Sequence, residues 1–246
     1  DLKSSAKRIM FGKTLNAGQI CLAPDYVIIH KDKKEEFITE AENAIKGFYP
    51  DIKDNEDYTS IINERHYNRI NSLIDDAKEK GANVHQINPS NEDFTQQEFY
   101  KIPPTIITNT SDDMRVMNEE IFGPVLPVLE YENIDDALST INAKDRPLGL
   151  YYFGTDKKEE SEIINKTSSG GVTVNNVIGH IQQTDLPFGG VGPSGMGRYQ
   201  GYDGFKNFSN HRAVYKDVGF KFDKLFDGIR PPYKGNIEKL LKALLK

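Results

Sequence analysis

Apolar residues recur along this chain with two alternating periods. In LKSSAKRIMFGKTLNAGQ, Leu2, Ala6, Ile9 and Met10 share one helical stripe and Gly18 follows as a stop, which predicts a helix over residues 2–15. The β-branched run DYVIIH predicts a strand over 25–30. KKEEFITEAENAIKGF turns Phe37, Ala41, Ala44 and Ile45 to one side and its charges to the other. A further helix is predicted over 64–80, with Tyr67, Ile70, Leu73, Ile74 and Ala77 on its inner face and Gly81 at its end. Strands follow at TIIT (105–108) and PVLPVLEY (124–131), then a helix, IDDALSTINAK, capped by Asn133. The remaining regular segments are a strand at LGLYYFG, a helix over 157–166 and a strand at GGVTVN (170–175). Strands alternating with helices of ten or more residues predict an α/β fold with an open, mainly parallel sheet and flanking helices.

Past Pro187 the pattern changes. Residues 187–204 hold seven glycines and two prolines, a density that predicts a loop lying close against something. RAVYKD (212–217) predicts one more strand, Pro231-Pro232 a break, and NIEKLLKALLK a short helix with Ile237, Leu240, Leu241, Leu244 and Leu245 on one face. Lys239, Lys242 and Lys246 flank that face. This leaves two readings for the helix, a surface-lying membrane contact or, preferred at this length, packing on protein as a lid.

Composition narrows the function classes. A net charge of -6 with no basic stripe argues against a nucleic-acid partner. The single cysteine, Cys21, excludes an intrachain disulfide and a cysteine-rich metal site, and fits a reducing, cytoplasmic setting. The five histidines form no ligand pair at helical spacing, so no metal site is expected. A chain that opens at Asp1 inside a committed helix reads as a fragment.

Cys21 falls just after a predicted helix end and before an apolar strand, in NAGQICLAPDYV. A lone cysteine is commonly a small buried apolar residue. Between Gly18 and Pro24, however, the chain must turn, and such a turn can expose a thiol and point its N–H outward. The segment FGKTLNAGQICLAPDYV resembles the nucleophile loop of the aldehyde dehydrogenase superfamily. MNEEIFGPVLPV (117–128) is similar to that family's Glu-x-Phe-Gly-Pro cofactor motif, and LPFGGVGPSGMGRYQGYDGF (186–205) to its glycine-rich segment. The order of the three, with APDYV, GPSGMGRY and PPY, resembles the class 3, coniferyl-aldehyde-dehydrogenase-like branch.

The resemblance implies a division of labour. Cys21 attacks an aldehyde, with its own N–H as one oxyanion donor; hydride leaves to NAD or NADP, and water releases the acid. Glu120 holds the nicotinamide ribose and Phe122 packs beside the ring, while Glu119 faces solvent or a structural partner. Asn175 braces the cysteine loop. Ile20, Leu22, Val177, Ile178, His180 and Phe188 line an apolar tunnel for an aromatic or medium-chain aldehyde. Residues 1–205 correspond to the catalytic domain and 206–246 to an oligomerisation strand and tail, with a homodimer as the expected assembly. The family's cofactor domain, completing oxyanion amide and water-activating glutamate precede the point where this chain starts, so these 246 residues alone are expected to oxidise aldehydes negligibly.

Other readings stay open on the residues alone. Cys21 with His180 allows a cysteine hydrolase or acyltransferase, told apart by ester turnover without nicotinamide. A CoA-acylating dehydrogenase is marked by CoA-dependent thioester release. A non-catalytic remnant is the third, against which stands the intact set of Cys21, Glu120 and Phe122.

Overall fold

Asp1 accepts the Ser4 N–H with its side chain and opens helix α1 (Leu2–Thr14) in the computed structural model, which describes residues 1–216, 230–231 and 237–244. The stripe read from the sequence is buried: Ala6, Ile9 and Met10 pack against Phe37, Ala41 and Ile45 of α2 (Lys34–Phe48). Between them runs strand β1 (Val27–His30). Helix α3 (Glu64–Glu79), capped by the Asn63 side chain on the His66 N–H, buries Ile70, Leu73, Ile74 and Ala77.

These helices sandwich a four-stranded sheet of order β1-β4-β3-β2, in which β2 is Asn83–Gln86, β3 is Thr105–Thr108 and β4 is Val125–Tyr131. β4 pairs in parallel with both β1 and β3. Successive residues of a strand face opposite sides, and the core divides accordingly. Ile106, Leu126 and Val128 join α1 and α2 on one face, whereas Ile107 and Val125 join α3 on the other. Burial on both faces explains why these two strands read as unbroken apolar runs.

The edge strand β2 (Asn83–Gln86) runs antiparallel to β3 and escapes the sequence pattern, since NVHQ carries no apolar alternation. The expected single sheet is also divided. β5 (Gly149–Tyr152) and β6 (Gly171–Val174) form a separate parallel pair, covered by α4 (Ile134–Ala143) and α5 (Lys157–Lys166) through Leu138, Leu150, Tyr152 and Ile163. Asn133 caps α4 in a reciprocal box with Asp136, and Asp156 caps α5, each cap worth about 1 kcal/mol.

Three expectations need correction. α1 ends at Thr14, and a tight turn, Leu15–Gly18, follows with Asn16 and Ala17 in left-handed backbone, so Gly18 is the last residue of a folded turn rather than a simple helix stop. The glycine-rich segment does not stay a loop to 204. It folds on itself through the Phe188–Tyr199 bridge, and α6 (Gly201–Asn207) then begins with Gly204 N–H donating to Gln200. Residues 212–216 carry no strand, because an extended segment needs a neighbour for its backbone groups and no described strand pairs with it; residue 217 lies outside the described residues.

Asp1–Phe208 and Ser209–Lys246 are two compact units. In the second, α7 (Ile237–Leu244) occupies the predicted C-terminal helix, with Leu241 exposed and Leu245 outside the described residues. Among the described residues no helix is long and apolar enough to cross a membrane.

Candidate active site

The thiol of Cys21 is exposed on a turn closed by the Ala23 N–H donating to the Ile20 carbonyl at 2.9 Å. Among the described residues nothing accepts the Cys21 N–H. Gln19 fixes the approach to this turn. Its amide donates to the Asn16 and Ser60 carbonyls, each at 3.0 Å, and accepts the Ile62 N–H at 2.9 Å. Gly18 has φ +75°, and a Cβ there would lie 2.3 Å from the Gly123 carbonyl oxygen. Only glycine therefore lets the turn approach Gly123 so closely.

Gly123 ends the Glu120–Phe122 segment, so the thiol turn and the expected cofactor motif meet. A second tie joins them, the Asp25 carboxylate accepting the Ile121 N–H at 3.2 Å. From the other side Arg69 of α3 donates to the carbonyls of Glu120 and Ile121. The segment is thus held from three sides, and Phe122 keeps left-handed backbone (φ 46°) and is 40% exposed as a residue. Glu120 is exposed, and no described side chain pairs with it directly. Nearby protein raises its carboxyl pKa by desolvation and through Asp25, against the lowering by Arg69 and Lys13. Glu119 takes the structural partner expected of it, an ion pair with Arg115 at 2.6 Å.

The sequence motifs assign Lys13 no role. It is 1% exposed, and burial pulls its pKa down to about 8, only partly opposed by Asp25 and Glu120. A signal was present: Lys13 stands four residues after Ile9 and three after Met10, on the buried stripe of α1, where a charge is costly. In the sequence Tyr151 is simply part of the strand LGLYYFG. Its hydroxyl donates to the Leu22 carbonyl at 2.7 Å, a contact across 129 residues that no local pattern reveals.

The expected tunnel residues are brought together unevenly. Leu22, Val177, His180 and Phe188 are buried, whereas Ile20 and Ile178 are half-buried. His180 bonds Thr173 Oγ1 through Nδ1 at 2.8 Å and stacks obliquely between Tyr151 and Phe188. Burial lowers its pKa, and its Nε2 has no partner among the described residues. The ring is buried and flanked by two aromatics. Asn175 differs from expectation. Its amide exchanges two 2.9 Å hydrogen bonds with the backbone of Gly154, so it braces the end of β5 rather than the cysteine turn. Among the described residues no group of three His, Cys, Asp or Glu side chains could hold a metal ion.

Comparison with known proteins bears on this arrangement. A model of the aldehyde dehydrogenase family matches residues 1–214. The chain is 53% identical over its whole length to a probable coniferyl aldehyde dehydrogenase of Caulobacter vibrioides, covering 50% of that protein. It is 41% identical over 87% of its length to the dimeric NADP-preferring aldehyde dehydrogenase of Mus musculus, covering 45% of it. The substrate-bound state of Staphylococcus aureus AldH superposes over the whole chain with a TM-score of 0.78 at 35% identity, 51% of that structure being covered. The chain thus spans about half the length of the curated relatives it matches. By sequence and by fold, it belongs to the aldehyde dehydrogenase family.

Proposed function

We propose that this chain supplies the nucleophile and the nicotinamide-side contacts for NAD- or NADP-dependent oxidation of an aromatic or medium-chain aldehyde to its acid. The observation that carries the reading is the exposed Cys21 thiol beside an unengaged N–H, on a turn tied at Gly18 and Asp25 to the Glu120–Gly123 segment. The Cys21 sulfur adds to the aldehyde carbon, and the Cys21 N–H stabilises the charge that develops on oxygen. The donor set near Phe122 fits a nicotinamide nucleoside: an open carboxylate at Glu120 for ribose hydroxyls and a part-exposed aromatic face for the ring. Bound there, the dinucleotide supplies the hydride acceptor. The acyl group left on Cys21 is then released by water as the acid. In this reading Ile20 and Ile178, the half-buried members of the apolar set, meet the aldehyde.

A homodimer that uses residues 206–246 is part of the same proposal, with support from the dimeric relative. A cytoplasmic setting suits a reactive free thiol. The test uses the full polypeptide carrying these residues. Cys21→Ser abolishes aldehyde oxidation, and Glu120→Gln raises the dinucleotide KM about tenfold with the aldehyde KM unchanged, the cost of one charge-assisted hydrogen bond. Oxidation by Cys21→Ser at the wild-type kcat refutes the reading.

A further inference from the structure

The contact with the cysteine turn that the resemblance implies for Asn175 is made by Tyr151. The Tyr151 hydroxyl donates to the Leu22 carbonyl at 2.7 Å, and the Ala23 N–H holds the Ile20 carbonyl at 2.9 Å. Both carbonyls that flank Cys21 in the turn are therefore fixed. The Cys21 N–H belongs to the same peptide unit as the Ile20 carbonyl, so its direction is set by these two bonds.

The surroundings are built for this contact. Gly149 lies two residues earlier on the same face of β5, and a Cβ there would sit 3.0 Å from Leu22 Cδ2 and 3.1 Å from the Tyr151 oxygen. The ring of Tyr151 leans on His180 at 6.3 Å between centroids, and packs in one core with Val177 and Ile178. Ile178 has φ 63°, a costly conformation for a β-branched residue and one that persists only when its surroundings impose it. Burial, and then the nearby Cys21, hold the Tyr151 phenol above its usual range. The hydroxyl thus stays protonated, as a donor must.

We propose that Tyr151 is a positioning residue, whose hydroxyl locks the Cys21 turn against the Val177–Ile178 loop and so aims the Cys21 N–H at the developing oxyanion. This rests on the assignment of Cys21 as nucleophile. The substrate never touches the hydroxyl; the effect passes through the Leu22 carbonyl.

Two reagents separate aim from mere stability. With 4-nitrophenyl acetate, the Cys21 sulfur bonds to the acetyl carbon, 4-nitrophenolate leaves, the thiol proton goes to solvent, and an oxyanion must be stabilised on the way. With iodoacetamide, sulfur displaces iodide directly and no oxyanion forms. Tyr151→Phe is expected to slow acylation of Cys21 about tenfold while alkylation stays within twofold, since misplacement by a fraction of an ångström already costs this much. Tyr152→Phe removes the neighbouring hydroxyl, which bonds Glu159 at 2.9 Å, and should change neither rate. An equal loss with both reagents, or a loss with neither, overturns the proposal. Should the phenylalanine variant fail to fold, 4-aminophenylalanine at position 151 keeps a donor and must restore the wild-type ratio; a lowered ratio overturns it equally. Aldehyde oxidation is followed in parallel on the full polypeptide. Its absence from the wild type, with the reagent ratio behaving as expected, refutes the dehydrogenase reading and leaves the Tyr151 lock standing.

Discussion

Lys13 lies on the buried stripe of α1 and is 1% exposed. Burial lowers its pKa from 10.5 to about 8, even with Asp25 and Glu120 acting in the opposite direction. That fall means that folding disfavours the charged form by about 3 kcal/mol. Lys13→Met keeps the length of the side chain and removes the charge, so it should stabilise the fold by about 3 kcal/mol at pH 7, or roughly 6–12 °C in Tm for a chain of this size. The sign with pH is fixed. The folded pKa lies below the unfolded one, so the unfolded state holds more protons between about 8 and 10.5, and wild-type stability rises through that window. The advantage of the variant is full below pH 8, falls to about 2 kcal/mol at pH 9 and to under about 1 kcal/mol at pH 10. Urea unfolding of both proteins at these three pH values checks it. A variant no more stable at pH 7, or an advantage that ignores pH, refutes the assignment of a desolvated ammonium. Lys13 in turn acts to lower the Glu120 carboxyl pKa, which desolvation and Asp25 raise.

Gly18→Ala combines left-handed backbone with a Cβ 2.3 Å from the Gly123 oxygen, and should cost about 3 kcal/mol and displace Cys21, read as a lowered Tm together with loss of Cys21 acylation by 4-nitrophenyl acetate. A variant of wild-type Tm would show that the two turns do not touch. His180 is held below its ordinary pKa by burial, so the neutral ring contributes stability that is present above about pH 6.5 and lost as pH falls below it. Denaturant unfolding from pH 7.5 to 5 should therefore show a slope that His180→Phe lacks; an unchanged slope in the variant refutes it.

The sequence by itself determined much of this protein. The helical stripes of α1, α2 and α3, the unbroken apolar runs of β3 and β4, and the Asn133 cap are local matters, written in spacing that backbone geometry turns directly into faces. The thiol turn was legible too, because Gly18 and Pro24 bracket Cys21 within seven residues. Tertiary structure alone decided the rest. β2 exists because β3 offers it a ladder, since of its own four residues only Val84 packs on the core, and that one in part. Asn175 carries the same amide wherever it points, and only the return of β5 beside β6 gave that amide to Gly154. Tyr151 took the brace instead, across 129 residues, because a hydrogen bond needs its partner within about 3 Å and chain order does not encode distance between remote segments.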